Sequence, residues 1–299
     1  MHIETTAGES AAMVRDGWTP LNGFLRIDSA LSIAAVTLQS GSESPRLDAE
    51  LLLARALDVP RSYLFAHSDE EMDVAAAERF QNAIDQRAGG VPLAYITGEK
   101  EFWSMVLTVS PATLVPRPDT EILVDRALMK IPKDKAMRVL DLGTGSGAIG
   151  LAIARERPLC EVVATDVSED ALAIARLNSR ELGIPNIEFI QGSWADPVAG
   201  QIFDIIVSNP PYVASGDSAL ATLQHEPRVA LVSGDDGLDD IRVIAAETKN
   251  VIVNGGYLLL EHGAMQSGEI AKILSANGWA NIMLANDLGG LPRVTISSR

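Results

Sequence analysis

The sequence predicts an α/β chain: a small all-helical domain followed by a mostly parallel sheet with helices on both faces. Three observations predict it. After residue 119, apolar β-branched runs alternate with helix-period segments, as a parallel sheet with crossover helices requires. Before residue 91 only helix-period segments occur. Between them lies a stretch rich in Thr, Val and aromatics that alternates in period two and ends at Pro116 and Pro118. At 299 residues the chain has room for two domains. The expected organisation is a flexible tail over 1–24, a helical domain over 25–90, a β-hairpin linker over 91–118 and the sheet domain over 119–299.

Each element has a local reason. Asp28 can cap the run "SALSIAAVTLQS". Ser44-Pro45 reads as an N-cap with proline at the first helical position, opening "RLDAELLLARAL", where Leu47, Leu51, Leu52 and Leu57 fall near helical spacing. "RSYLFAH" fits a short helix, and "DVAAAERFQNAIDQRAGG" ends in a glycine pair that suits a C-cap. "AYITGEKEFWSMVLTVSPATLVPRP" reads as the hairpin. Strands then fit "RVLDL", "EVVAT", "IEFI", "FDIIV", "GYLLLE", "NIMLA" and "RVTISS". Helices fit "TEILVDRALM", "GAIGLAIARE", "EDALAIARLNSREL", "LDDIRVIAAETKNVI" and "AMQSGEIAKILSAN".

Composition removes several classes of function. No apolar run reaches the ~20 residues of a membrane span. The N-terminus has neither a basic start nor an apolar core, so it is not a secretory signal. A single cysteine, Cys160, rules out an internal disulfide and a multi-cysteine metal site, and no metal is expected. The cytoplasm is the expected compartment. The chain carries 24 Lys+Arg against 40 Asp+Glu, a net charge of −16. Both halves are acidic: residues 1–90 hold 7 Arg, no Lys and 14 Asp+Glu. Binders of duplex nucleic acid present a basic face, so nucleic acid is not an expected partner.

The chemistry is carried by the strand ends. The first strand of the sheet runs into "DLGTGSGAIG", Asp141 to Gly150, in which Gly143, Thr144, Gly145, Ser146 and Gly147 would bring backbone close to a ligand at a helix N-terminus. A nicotinamide fingerprint, G-x-G-x-x-G, has its third glycine one place later. The G-x-G-x-G order, with an acid two residues before it, resembles the S-adenosylmethionine loop of seven-stranded methyltransferases. That ligand carries a sulfonium and an ammonium, so an acid beside the loop makes electrostatic sense. Asp166 closes the next strand, where a carboxylate can accept both ribose hydroxyls of an adenosine; Ser168 is better placed than Asp166 to cap the helix that follows. After the third strand Trp194 could lie against an adenine and Asp196 could accept from its amine.

The fourth strand ends in "SNPPYV". Two prolines cannot continue a ladder, because each lacks a donor N–H and fixes φ. A rigid corner suits a reaction in which a nucleophile must be aimed. The nitrogen of a planar NH2 group is weakly nucleophilic. Two acceptors that hold its two hydrogens would point the lone pair at an electrophilic methyl. Asn209 supplies one acceptor in its side-chain oxygen and Pro210 a second in its carbonyl; Pro211 stiffens the corner, and Tyr212 can stack on a flat substrate group.

N-P-P-Y at this position is shared by methyltransferases of planar amino groups. "ITGEKEFWSMVLTVSPATLVPRPDTEILVD", "VLDLGTGSGAIGLAIA", "EPRVALVSGDDGLDDIR", "EHGAMQ" and "DLGGLPRV" together resemble the HemK/PrmC peptide chain release factor glutamine methyltransferases over roughly residues 25–299. The resemblance implies a Rossmann-like methyltransferase domain that uses S-adenosylmethionine and yields S-adenosylhomocysteine. It implies a protein substrate, the glutamine of the Gly-Gly-Gln tip of bacterial release factors, methylated on its amide nitrogen in translation termination. It implies that Gly143 to Gly147, Asp166, Trp194 and Asn209 line the cofactor site and that Asn209 to Tyr212 hold the glutamine. The helical domain would recognise the substrate, and the enzyme is expected to be a monomer. His225 departs from the pattern, standing where an aromatic often precedes Glu-Pro, and leaves "HEPR" without a role. Two rival readings share parts of these motifs. An exocyclic-amine methyltransferase of nucleic acid (adenine N6) is opposed by the acidity of both halves. A non-catalytic cofactor-binding adaptor would have no need of the N-P-P-Y corner.

Overall fold

A computed structural model describes residues 25–299, so the tail expected over 1–24 lies outside the described residues. The chain divides into two units between Thr97 and Gly98.

The first unit is helical: α1 (Ile27–Thr37), α2 (Pro45–Leu57), α3 (Arg61–Ala66), α4 (Val74–Ala88) and α5 (Leu93–Thr97), with a two-residue ribbon pairing β1 (Leu25–Arg26) and β2 (Glu71–Met72). Its core gathers Leu31, Leu52, Leu53, Phe80 and Ile84, all buried. The α2 stripe that packs is Ala49, Leu52, Leu53 and Ala56, the i, i+3, i+4, i+7 set, whereas Leu47, expected on that face, is exposed. Asp73 caps α4 by accepting from the Ala76 amide at 2.7 Å. Asp28 lies inside α1 and is not its cap. Ser44 does precede Pro45 at the start of α2, but its hydroxyl donates to Asp48 (3.3 Å) instead of capping. Asp48, buried, also accepts from Arg87 at 2.8 Å and so ties α2 to α4.

In the stretch expected as a hairpin, residues 93–97 are helical. The Tyr95 and Ile96 amides both donate to the Pro92 carbonyl, and Leu93 and Ile96 pack on the helical core; local bonds and burial there outweigh the β-branched texture. The hairpin itself is β3 (Glu99–Phe102) and β4 (Met105–Thr108), joined through Trp103 and Ser104 at φ +50° and +53°. Positive φ at both central residues is the twist a two-residue hairpin loop requires.

The second unit holds a seven-stranded sheet. Its strands are β5 (Arg138–Leu142), β6 (Glu161–Asp166), β7 (Ile187–Gln191), β8 (Phe203–Ser208), β9 (Ile252–Glu261), β10 (Ala280–Asn286) and β11 (Pro292–Ser298), in the order β10-β11-β9-β8-β5-β6-β7. The five from β9 to β7 are parallel, and β11 runs antiparallel between β10 and β9. The helices are α6 (Glu121–Lys130), α7 (Ala148–Glu156), α8 (Glu169–Leu182), α9 (Asp239–Glu247) and α10 (Ser267–Ala276). Strand residues alternate between two cores. Val139, Val162, Ile205 and Leu259 pack with α6 and α7, while Leu140, Val163, Ile206 and Leu258 pack with α9 and α10. Both faces being covered explains why these strands read as continuous apolar runs. The helix expected over 238–252 ends at Glu247, because β9 already begins at Ile252.

Candidate active site

A cavity of about 250 Å³ opens at the carboxyl ends of the parallel strands, where the strand order reverses between β5 and β8. Gly143, Asp166, Trp194 and Asn209 line it, one at or beyond the end of each of β5, β6, β7 and β8.

The glycine loop is held from below. Asp141 is fully buried; its Oδ2 accepts from the Thr144 hydroxyl at 2.6 Å and from the Gly150 amide at 2.9 Å. Burial pushes its carboxyl up to about 6. Asp141 therefore shapes the loop from inside and does not reach the cavity. The glycines differ in role. Gly145 has φ +56° and lines the cavity, and a Cβ built there would meet nothing within 4 Å, so the missing side chain leaves open cradle. Gly147 does not line the cavity; a Cβ there would come within 2.8 Å of Leu151 and 3.2 Å of Ala175, so it permits packing of α7 against α8. Gly143 lies against the Trp194 ring, and Thr144 and Ser146 also line the cavity. Asn178, on α8 and buried, donates to the Ser146 carbonyl at 2.9 Å and exchanges bonds of 2.7 and 3.0 Å with the Thr108 backbone, which couples the loop to the hairpin.

Asp166 faces the loop. Its Oδ2 accepts from the Gly145 amide and its Oδ1 from the Ser168 amide, both at 2.9 Å, and burial raises its pKa. Ser168 caps α8 by accepting from Ala171 at 3.2 Å, which frees Asp166 from that duty. Each Asp166 oxygen keeps acceptor capacity for a ligand. Trp194 sits at φ +42°, a strained value for a bulky residue, with its carbonyl held by the Thr165 hydroxyl at 2.9 Å. Asp196 is exposed and does not line the cavity.

On the opposite wall β8 ends at Ser208, whose hydroxyl donates to Leu142 at 2.8 Å. Asn209 follows. Its Nδ2 donates to the Thr120 hydroxyl at 3.3 Å, and its Oδ1 is buried with no partner. Pro211 lines the cavity; Pro210 and Tyr212 do not. The Tyr212 carbonyl accepts from Gln266 at 2.9 Å, which pins the corner to the loop after β9. Burial, and then the nearby Glu261 charge, raise the Tyr212 pKa. "HEPR" acquires a role: the buried Glu226 accepts from the Val115 amide at 3.1 Å and pairs with Arg117, while Pro227 and Val229 line the cavity. Glu226 thus fixes the Val115–Arg117 segment at the cavity wall.

Four residues carrying this site had no role in the sequence reading: Thr120, Asn178, Glu226 and Glu261. Only Glu261 had a usable signal. A carboxylate ending the otherwise apolar strand "GYLLLE" follows the same logic as Asp166.

The sequence matches a family described as the PrmC N-terminal domain over residues 29–98 and one described as a methyltransferase domain over residues 133–283. A release factor glutamine methyltransferase of Coxiella burnetii is 44% identical over 276 residues, covering 92% of this chain and 100% of that one. Its counterpart in Escherichia coli is 42% identical over 264 residues, covering 88% and 95%. The chain belongs to the release factor glutamine methyltransferase family. Another member, from Xylella fastidiosa, is 46% identical over 253 residues, covering 84% and 92%. Among solved structures, a methyltransferase from Pyrococcus furiosus superposes with a TM-score of 0.50 at 20% identity, over 65% of this chain and 88% of that one. The catalytic domain of hMettl16 does so with 0.55 at 13% identity, over 77% and 84%. These two share the fold.

The cofactor is S-adenosylmethionine. The residues present fit it. The open cradle at Gly145 lets a ligand meet bare backbone, and Asp166 beside it offers a carboxylate to ribose hydroxyls. The Trp194 ring over Gly143 offers an apolar wall to a flat base. Among the described residues no helix is long and apolar enough to cross a membrane.

Proposed function

We propose that this chain methylates the side-chain amide nitrogen of a glutamine in a peptide chain release factor, the Gln of its Gly-Gly-Gln tip. The observation that carries the reading is the Asn209 amide. Its Nδ2 is engaged by Thr120 and its unpartnered Oδ1 belongs to a residue of the cavity wall. An orphaned buried acceptor is unfavourable by about 1–3 kcal/mol unless a donor meets it, and a primary amide brings such a donor.

Bound S-adenosylmethionine supplies an electrophilic methyl on its sulfonium. Gly143 to Ser146, Asp166 and Trp194 would hold it, with Gly147 behind them keeping α7 and α8 packed. Asn209 Oδ1 accepts one hydrogen of the substrate amide and the Pro210 carbonyl takes the other, which turns the nitrogen lone pair outward. Pro211 walls the site. Tyr212, held through Gln266, stiffens the corner from behind. No side chain need act as a strong base, because a methylated amide cation loses its proton readily to solvent.

Residues 25–90 form the part that recognises the release factor body, and the hairpin after them is built into the catalytic unit through Asn178. We read the enzyme as a cytoplasmic monomer, its single cysteine suiting a reducing compartment, and its net charge of −16 weighs against a nucleic-acid partner. Mass spectrometry of purified release factor after incubation with enzyme and cofactor tests the reading. It is expected to show one added methyl on the tip glutamine. Unmodified glutamine, with cofactor bound, would overturn it.

A further inference from the structure

Beneath Asn209 lies a carboxyl that the mechanism above does not use. Glu261 ends β9 and is almost wholly buried, 1% exposed. Ser208 pairs with Leu260 in the ladder, so Asn209 and Glu261 leave neighbouring strands side by side. The side chains beside the carboxyl are the Thr120 hydroxyl and the Asn209 amide, both of which favour its charged form. Its Oε2 is buried without a hydrogen-bond partner. Three other groups face it. Arg293, from β11, favours its charge; Asp119, in the turn before α6, opposes it; and the Tyr212 phenol lies within its field. Arg293 is itself shared between Asp119 at 3.1 Å and Asp287 at 3.0 Å. His262, next in the chain, is buried and occupied, bonded to the Gly263 carbonyl and the Thr295 hydroxyl.

A primary amide can sit in its slot two ways, with O and NH2 exchanged. The proposed chemistry works in only one of them, because an outward NH2 would face the substrate's own NH2. Something in the protein must choose. An ionised carboxylate accepts hydrogen bonds and donates none, so beside Asn209 it draws the NH2 inward and repels the oxygen.

We propose that Glu261 is a positioning residue for methyl transfer: with Thr120, its buried carboxylate holds the Asn209 NH2 inward so that Oδ1 faces the substrate amide. A protonated Glu261 carries an O–H that can donate to Oδ1. That would stabilise the reversed amide and silence the site. Burial pushes the Glu261 carboxyl up to about 7. The charged, productive form therefore prevails above about pH 7, and the transfer rate falls as pH drops through that value.

The inference rests on the proposed function, and the test separates the two. Single-turnover rates with release factor and saturating cofactor are measured across pH for the parent, Glu261→Gln and Thr120→Val, with cofactor affinity by calorimetry. Glu261→Gln keeps the shape but gives Asn209 an NH2 where it had a carboxylate. Its rate is expected to fall roughly a hundredfold, with cofactor affinity within about twofold and without the parent's acid limb. Thr120→Val removes a bond that favours the charged carboxyl, so its acid limb should move to higher pH. A Glu261→Gln enzyme that matches the parent, or loses rate with the acid limb in place, overturns the proposal. Should Glu261→Gln fail to fold, an unmoved limb in Thr120→Val overturns it. A parent that binds cofactor but methylates no release factor refutes the proposed function instead, and this inference falls with it.

Discussion

The two walls of the cavity are built on opposite plans. The glycine loop, residues 143–147, presents backbone, and side chains brace it: Asp141 from beneath, Asn178 from α8, and Asp166 from β6 on the cavity side. The corner at residues 209–212 presents a side chain, and its rigidity comes from two prolines and from Gln266. Each region leaves one buried side-chain oxygen without a partner. In the loop it is Asp141 Oδ1, sealed under the backbone; at the corner it is Asn209 Oδ1, on a residue of the cavity wall. A binding surface needs its shape held, and bracing alone supplies that. A reacting surface needs an acceptor left over for the substrate. The loop should therefore govern affinity for the cofactor, and the corner should govern the rate.

Asn209→Ala breaks this division most sharply. It removes the orphaned acceptor without adding bulk, so transfer should fall by at least the 10²–10³-fold typical of losing one positioned polar group at a reacting centre. Cofactor should still bind, held by the loop and Asp166. Single-turnover rates beside calorimetry check it; a parental rate would show that the corner does not aim the nucleophile. Asn209→Asp, which keeps an acceptor but adds charge, should fall between.

The converse is Asp166→Ala. It takes away a charged acceptor facing the cavity, where hydrogen bonds to charge are worth about 1.5–3 kcal/mol each before compensation. Cofactor affinity should drop roughly tenfold to a hundredfold, while the rate at saturating cofactor stays close to the parent's. Unchanged affinity by calorimetry would remove Asp166 from the ribose assignment.

How much of this division was legible beforehand depended on whether the signal was local. Gly143, Asp166, Trp194 and Asn209 were found because each follows an apolar strand, and parallel strand ends converge by topology. The seven strands were visible for the same reason, being continuous apolar runs. Asn178, Glu226 and Glu261 act across 32, 111 and 52 residues of chain on Ser146, Val115 and Asn209, and no spacing announces such a pairing. Asp141 was seen but expected toward the ligand. Nothing local tells whether a strand residue points up into a site or down beneath its loop. The hairpin expectation extends over residues 93–97 because β-branched and aromatic texture ignores the Pro92 carbonyl that receives two of their amides.

The walls can also be compared by pH. Asp141 and Glu261 both carry carboxyls that burial raises, to about 6 and about 7, from ordinary values of 3.8 and 4.5. Between the ordinary and the raised value the folded protein binds the proton more tightly than the unfolded chain does. Stability from these groups is thus fullest at low pH and is lost as pH rises through about 4–7. The melting temperature should fall by several degrees from pH 5 to pH 8, opposite in direction to the activity expected of Glu261. Asp141→Asn should flatten the melting profile and leave the acid limb of activity in place. A melting temperature that rises over this range would contradict the burial argument.

The smallest expected effect isolates what Asp166 does. A carboxylate two residues before Ser168 at the start of α8 is open to a simpler reading, as part of that helix's cap. The geometry separates the two duties: Ser168 Oγ accepts from Ala171 at 3.2 Å, and Asp166 accepts from the Gly145 and Ser168 amides. Ser168→Ala deletes the side-chain cap but leaves its own amide to hold Asp166 in place. It should lower stability by about 1 kcal/mol, the usual value of a helix cap, which in a unit of this size is a shift of roughly 2–4 °C in melting temperature. Cofactor affinity should stay within about twofold of the parent. Thermal melts and calorimetry on this variant and on Asp166→Ala then form a pair. If Ser168→Ala weakens cofactor binding as much as Asp166→Ala does, the carboxylate serves the helix start rather than the ligand, and the loop wall loses its one charged acceptor.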